Sequence, residues 1–402
     1  MNILYIHQYF QTPNDWGGTR SYWIAQELIK NGHKVTMLTT SSAIDTKIHR
    51  ANVDGIEVIY LKVPYSQYMS IFKRLLSFVN FMLKSSRMAL KQKDIDLIIA
   101  TSTPLTIGFP ALVAKKLKKI PFIFEVRDLW PEVPIQMGGL NNKFAIKLAR
   151  WFERTIYKNA EHVVALSPGM EDGVIAAGTP KDKVTMIPNM SKIDFFWARE
   201  KNLELAKKLG VKPNSFKTVY FGAMGIANGM DYIIEGIKGL KNNQDIEFLF
   251  MGGGSTEPIL KKKCEDLGIH NAHFLGGFGL EELSEIVNLC DVSIVTFADL
   301  PILATNSPNK LFDSLSAGKP ILVNSPGWTK KMVQEYHCGL FVDPKRPNEL
   351  ATAILQLKEN PETCKTMGHN ARKLAETKYD KSILCKEFAE VVKNVQHKIE
   401  QR

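Results

Sequence analysis

Apolar and polar positions along the chain keep one rhythm: a short apolar run, a polar turn, then a segment with apolar residues three or four apart. The runs "NILYIHQYF" (2–10), "HKVTMLTT" (33–40), "LIIATS" (97–102), "PFIFEVRD" (121–128) and "HVVALSP" (162–168) read as strands. Between the first two, "SYWIAQELIKNG" (21–32) carries Trp23, Ile24 and Leu28 at helical spacing and stops at Gly32. Apolar strands alternating with helices predict a parallel sheet covered on both faces. The rhythm breaks at "VTMIPNMSKIDFFWARE" (184–200). It restarts with "KTVYFGAMG" (217–225), "IEFLFMGGGS" (246–255), "AHFLGGF" (272–278), "DVSIVTF" (291–297), "PILVNS" (320–325) and "CGLFVD" (338–343). The expected fold is therefore α/β with two Rossmann-like, doubly wound domains, at 1–190 and 200–380. A C-terminal helix at 381–402 is free to pack back on the N-terminal domain. No fixed-period repeat is present.

Ligands of such sheets bind beyond the carboxyl ends of the strands, so two facing domains predict a cleft and functional residues just after strands. The first such loop, "TPNDWGGTRS" (12–21), offers Gly17 and Gly18 for close backbone approach, the amides of a helix start near Ser21, and the charge of Arg20. The same glycines also suit a plain turn. "EVRDLWPEVP" (125–134) puts Arg127, Asp128 and Glu132 at or beyond a strand end. A carboxylate there can take a proton from a sugar hydroxyl, and the guanidinium fork suits a phosphate; a structural Arg–Asp pair is the ordinary alternative. His7 reads as a strand-end residue. "FGAMGIANGMD" (221–231) and "MGGGS" (251–255) are glycine-rich strand-to-helix turns. Neither is GxGxxG, and the chain contains no GxxxxGK[ST], which argues against dinucleotide-dehydrogenase and P-loop readings.

"SPNKLFDSLSAGKPIL" (307–322) carries the outline of a helix, with Ser307 as cap, Pro308 in the first turn, and Gly318 and Pro320 as the stop. Lys310 in its first turn opposes the helix dipole, and a nucleotide diphosphate lying against the amides near Asn309 would resolve the mismatch. Asp313, one turn on, can accept from ribose hydroxyls. The plain alternative is an i,i+3 surface pair worth a few tenths of a kcal/mol.

Charge sharpens this picture. The 402 residues carry a formal net charge of +11, with a pI near 9.2, which favours anionic partners such as nucleotides and phospholipid surfaces. No nucleic-acid recognition motif accompanies that charge, so no nucleic-acid partner is expected. "YMSIFKRLLSFVNFMLKSSRMALKQKD" (68–94) and "NNKFAIKLARWFERTIYKN" (141–159) read as basic amphipathic helices able to lie on an anionic bilayer, or as core-facing helices with a solvated basic side. The apolar stretch near 96–114 is broken by Pro104, Gly108 and Pro110 and is a poor membrane span. "MNILYIHQYF" lacks a basic leader region and reads as a core strand rather than a signal peptide. Five scattered cysteines show no metal-ligand spacing and read as buried thiols in a reducing cytoplasm. Neither cofactor nor metal is expected.

These features together resemble the family 4 glycosyltransferases of the GT-B fold over essentially the full length. The resemblance rests on the Gly17–Gly18 loop, "GHKVTMLT" (32–39), "FGAMG" (221–225), "FLGGF" (274–278) and "SPNKLFDSLSAGKPIL". "YIHQYF", "VRDLWPE" and "SPNKLFDSLSAGKP" look like transferases of N-acetyl-L-fucosamine, or a related amino sugar, in bacterial O-antigen or capsule assembly. The resemblance implies a UDP-sugar substrate held by the C-terminal domain. Uracil would lie by Gly276, Gly277 and Phe278, ribose at Asp313, and diphosphate near Gly222, Ser307, Asn309 and Lys310, with Met224 and Leu311 also in the donor set. It implies a polyprenyl-diphosphate-linked saccharide acceptor at Gly17, Gly18, Thr19, Arg20 and Glu132. It further implies retention of anomeric configuration without a metal, and a cytoplasmic enzyme on the inner face of the membrane. Asp128, Arg127 and Lys310 are the catalytic candidates, with Asp128 or the leaving phosphate as base. A UDP-sugar 2-epimerase of the same fold is the alternative. Two departures stand out. The family's paired glutamates are Thr305 and Asp313 here, and its usual Arg and Lys after the first C-domain strand are absent from "GAMGIANG", which shifts phosphate neutralisation onto Lys310.

Overall fold

Residues 1–15, 17–65 and 69–401 are described by the computed structural model. Trp16 of the glycine loop and Tyr68 at the head of the first basic segment lie outside the described residues. The first sheet contains β1 (Asn2–Ile6), β2 (Lys34–Ser41), β3 (Ile48–Val53), β4 (Ile56–Lys62), β5 (Leu97–Thr101), β6 (Phe122–Val126), β7 (His162–Ala165) and β8 (Val184–Met186), in the order β3-β4-β2-β1-β5-β6-β7-β8. The second contains β9 (Phe216–Phe221), β10 (Ile246–Met251), β11 (Ala272–Gly276), β12 (Val292–Val295), β13 (Ile321–Val323) and β14 (Gly339–Phe341), in the order β11-β10-β9-β12-β13-β14. All pairings are parallel except β3 with β4. Strand order reverses between β1 and β5 and again between β9 and β12, so each sheet has a crevice at its carboxyl edge.

Burial on both faces explains why the strands are apolar without alternation: every residue of β5, β6 and β10 is buried. On one face of the first sheet, the helices Ile71–Lys91, Gly108–Lys118 and Lys143–Asn159 share an apolar cluster through Phe81, Ala111 and Ile156. The other face carries Arg20–Lys30 and the last helix, Lys381–Glu400, whose Leu384, Phe388 and Val392 meet Ile3, Tyr5 and Leu28. The two chain crossings between the sheets touch where Ser191 bridges Asp380.

Three strands go beyond the sequence reading. β3 and β4 form an antiparallel hairpin turned by Asp54 and Gly55, both at positive φ, and β8 closes the far edge. The expected helix at 308–317 runs Asn309–Ser316 with Pro308 at its cap position. Ser307 does not cap it; its Oγ accepts from the Asn189 N–H instead (3.2 Å). All five cysteines are unpaired, four of them buried. Among the described residues, no helix is long and apolar enough to cross a membrane.

Candidate active site

The carboxyl edge of the second sheet forms a cleft of about 380 Å³, lined among others by Gly222, Asn228, Gly252, Gly277, Phe278, Asn309, Lys310 and Asp313. Its floor is backbone. A Cβ on Gly252, which lies at φ +110°, would run into the carbonyl of Gly222, so the turns after β9 and β10 pack main chain on main chain. Gly276 donates nothing to the lining, but its carbonyl accepts from the Gly252 N–H (2.6 Å) and holds the next turn in place.

Lys310 dominates this half. Its ammonium is buried, 2.6 Å from Tyr220 Oη and 3.1 Å from Asn228 Oδ1, and sits over the Tyr220 ring at 3.9 Å. Among the described residues no carboxylate reaches it. Burial therefore pushes its pKa down to about 7. A cation held by neutral partners in a cleft with backbone turns is poised for an anion.

The first sheet contributes the opposite wall. Arg127 follows β6, and its Nη1 donates to His7 Nε2 (3.0 Å). The other ring nitrogen, Nδ1, lies 2.9 Å from Ser21 Oγ, so His7 is a neutral imidazole clamped at both ends, its pKa well down through burial and then through Arg127. Asp128, half-buried, accepts from Thr103 Oγ1 (2.7 Å); burial raises its pKa against the pull of Thr103 and Arg127. Gly18 joins the two walls. A Cβ there would fall 2.8 Å from Asn309 Nδ2 and 3.3 Å from Arg127 Nη2, so the glycine loop, the helix at Asn309 and Arg127 meet at one point.

Other expected site residues are engaged elsewhere. Arg20 is buried rather than facing an acceptor: Nε binds Glu125 (2.7 Å), Nη1 the carbonyl of Pro188 and Nη2 that of Ile187 (3.0 Å). Thr19 is buried and accepts from the indole of Trp23 (3.0 Å). Glu132 takes two bonds from Arg150 on the helix Lys143–Asn159 (2.9 and 2.7 Å). Leu311 and Met224 are wholly buried in apolar clusters. Ser307 is bound by Asn189 through both hydroxyl and carbonyl. Asp313 lines the cleft but pairs with Lys192, not Lys310, so the two helix residues are not a surface pair. Thr305, in the place of the first family glutamate, packs against Gly169, and its carbonyl accepts from Ser167 Oγ (2.5 Å).

Tyr220, Thr103 and Lys192 escaped the sequence reading. Tyr220 looks like any strand residue and Thr103 like any loop residue. Lys192 sits in a linker with no pattern at all.

Residues 17–190 match the Glycosyl transferase 4-like domain, and residues 201–374 match Glycosyl transferases group 1. An uncharacterized glycosyltransferase, MJ1607 of Methanocaldococcus jannaschii, is 21% identical over 379 residues, covering 92% of both chains. The putative colanic acid biosynthesis glycosyl transferase WcaI of Escherichia coli is 24% identical over 336 residues, 79% of each. Among solved structures, Anabaena HepE in complex with UDP-glucose superposes with a TM-score of 0.72 at 17% identity, covering 98% of this chain and 100% of that one.

Proposed function

Because the chain belongs to the GT-B glycosyltransferases, of the family 4-like kind, we propose that it transfers N-acetyl-L-fucosamine, or a related N-acetylated deoxy-amino sugar, from UDP to a polyprenyl-diphosphate-linked saccharide. The observation that carries the donor half is the buried Lys310 ammonium, without a counter-charge among the described residues, facing a cleft floored by glycine turns. A diphosphate would bring the missing charge, held by Lys310, the Asn309 side of the helix start and the Gly222 turn. Arg127, braced by His7, would approach it from the other wall, and Gly277 and Phe278 would take the base. The ammonium reaches the side chain of Asn228, in the turn after β9 where the family usually has its cations. The helix lysine thus stands in for them.

Chemistry then needs a leaving group stabilised as its bond breaks and a proton taken from the acceptor hydroxyl. Lys310 serves the first need by charge-assisted hydrogen bonding. Asp128, made more basic by burial, or the departing phosphate serves the second, with retention as the expected outcome. WcaI and its colanic acid supply support for a polysaccharide product. An epimerase would need no acceptor wall, and the relatives are transferases. UDP is expected to raise the unfolding midpoint by several degrees, and one N-acetylated UDP-sugar to release UDP when lipid-linked acceptor is added. No shift with UDP sinks the donor assignment. A shift with UDP but no turnover of any UDP-N-acetylhexosamine sinks the sugar assignment.

Membrane docking forms part of the same proposal. The helix Ile71–Lys91 buries Phe81 and Met88 yet exposes Phe72, Leu75, Leu76, Val79 and Leu83 on its other side, among Lys73, Lys84 and Arg87. The helix Lys143–Asn159 exposes Phe144 (76%), Leu148 and Trp151 (61%) beside Lys147, Arg150 and Arg154. Apolar residues ringed by cations fit an anionic bilayer. Cosedimentation with phosphatidylglycerol vesicles, but not with phosphatidylcholine alone, is the expected result, and F144E/W151E should weaken it roughly tenfold or more. Undiminished binding by that variant, or self-association without vesicles, would remove these helices from the membrane.

A further inference from the structure

Between the two sheets the chain runs alongside the helix Asn309–Ser316 and is fastened to it at successive points. Asn189 binds both the hydroxyl and the carbonyl of Ser307, Ser191 Oγ donates to the carbonyl of Phe312 (2.9 Å), and Lys192 pairs with Asp313. Both charged side chains of that last pair are over nine-tenths buried. Ser191 is further held by its N–H to the carbonyl of Tyr379 (2.7 Å), so Lys192 cannot drift along the helix.

Asp313 faces two ways. It lines the cleft, and its Oδ1 takes the Lys192 ammonium. Among the described residues, no other side chain or backbone N–H donates to the carboxylate. A buried acid alone would take up a proton and become a donor, whereas sugar hydroxyls donate best to an ionised acceptor. We infer that Lys192 is a positioning residue: from the interdomain linker it keeps the Asp313 carboxylate ionised and turned so that its remaining acceptor capacity meets the ribose diol of the nucleotide. The inference rests on the donor reading above, and names the residue that makes its ribose contact selective. Lys192 touches no part of the nucleotide itself; it acts through Asp313. Burial lifts the pKa of Asp313 above its ordinary value, and the charge and hydrogen bond of Lys192 oppose that rise.

The test compares UDP with 2′,3′-dideoxy-UDP by calorimetric titration in the wild type and four variants. Wild type is expected to prefer UDP roughly tenfold or more, the range for hydroxyls hydrogen-bonded to a charged group. Asp313→Asn should lose most of that preference. Lys192→Met should lose it to a similar degree, through weaker UDP binding with little change in dideoxy-UDP binding, and Lys192→Arg should restore part of it. Lys192→Gln, which keeps a donor without the charge, decides the matter if the methionine variant does not fold. Full preference in Lys192→Met or Lys192→Gln, with loss in Asp313→Asn, overturns the role of Lys192. Full preference in Asp313→Asn shows instead that the ribose lies elsewhere and overturns the donor reading on which the inference stands.

Discussion

Lys310→Met is expected to cost UDP at least tenfold in affinity and to lower kcat/KM by roughly 10²–10³. The first figure is the worth of one charge-assisted hydrogen bond, and the second that of a donor aimed at charge developing in the transition state. The same variant should be the more stable protein when empty. Its ammonium is buried with, among the described residues, Tyr220 and Asn228 as its hydrogen-bond partners, so methionine, of similar length, removes a desolvation cost and should raise the unfolding midpoint by a few degrees. Loss of binding together with gain of stability cannot arise from misfolding. The pH dependence follows from the pKa near 7. Above pH 7 the empty enzyme holds a neutral amine, and a diphosphate must draw a proton from solvent to be met by an ammonium. UDP affinity should therefore fall about tenfold per pH unit above 7, and Lys310→Arg, always charged, should flatten the profile. Stability moves the other way. Between the folded pKa near 7 and the unfolded value of 10.5, the unfolded chain binds more protons, so the contribution of this residue to the stability of the empty enzyme rises with pH across that window. Affinity that is level from pH 7 to 9 in the wild type would show that Lys310 does not meet the phosphates.

Sequence carried the architecture because doubly wound sheets write themselves as apolar runs: β1, β5, β6, β9 and β10 were legible as such, and with them the loops where ligands bind. The β3–β4 hairpin is written only as Asp54-Gly55 between two short apolar stretches, a turn signal that the surrounding strand-and-helix rhythm of the parallel sheet outweighs. As candidates, Asn309, Lys310, Arg127 and Asp128 were legible because each departs from what its local element wants: a cation at a helix start, polar groups at the end of a buried strand; the structure brings Asn309 and Lys310 to the cleft and Arg127 to Gly18, and holds Asp128 on Thr103. Pairing was not legible. Whether Asp313 meets Lys310, three residues away, or Lys192, over a hundred residues away, depends on how the linker lies along the helix, and no local pattern records that. Arg20 misled for the same reason. A charge beside two glycines looks available, and only the arrival of Glu125 and the 187–188 carbonyls shows that it is taken.

That arrangement makes Arg20 the residue whose loss should cost the fold most. Arg20→Leu leaves the carboxylate of Glu125, itself wholly buried, with Thr101 Oγ1 as its remaining partner among the described residues, and strips two linker carbonyls of their donor. Breaking a buried ion pair from one side costs about 3–5 kcal/mol. For a domain of this size that is a fall of roughly 6–20 °C in the unfolding midpoint. The partner change separates the two causes. Glu125→Leu added to Arg20→Leu removes the stranded charge and should recover part of the loss, while the carbonyls of Ile187 and Pro188 stay unmet. Arg20→Lys should recover little, because one ammonium cannot reproduce a planar fork that reaches a carboxylate and two carbonyls. The unrecovered part should appear in UDP affinity too. The carbonyls belong to the segment that continues through Asn189 to Ser307 and the start of the donor helix, so slackness there displaces Asn309 and Lys310. An Arg20→Leu protein that melts with the wild type would show that this guanidinium holds neither sheet nor linker, and would return it to the acceptor side of the cleft.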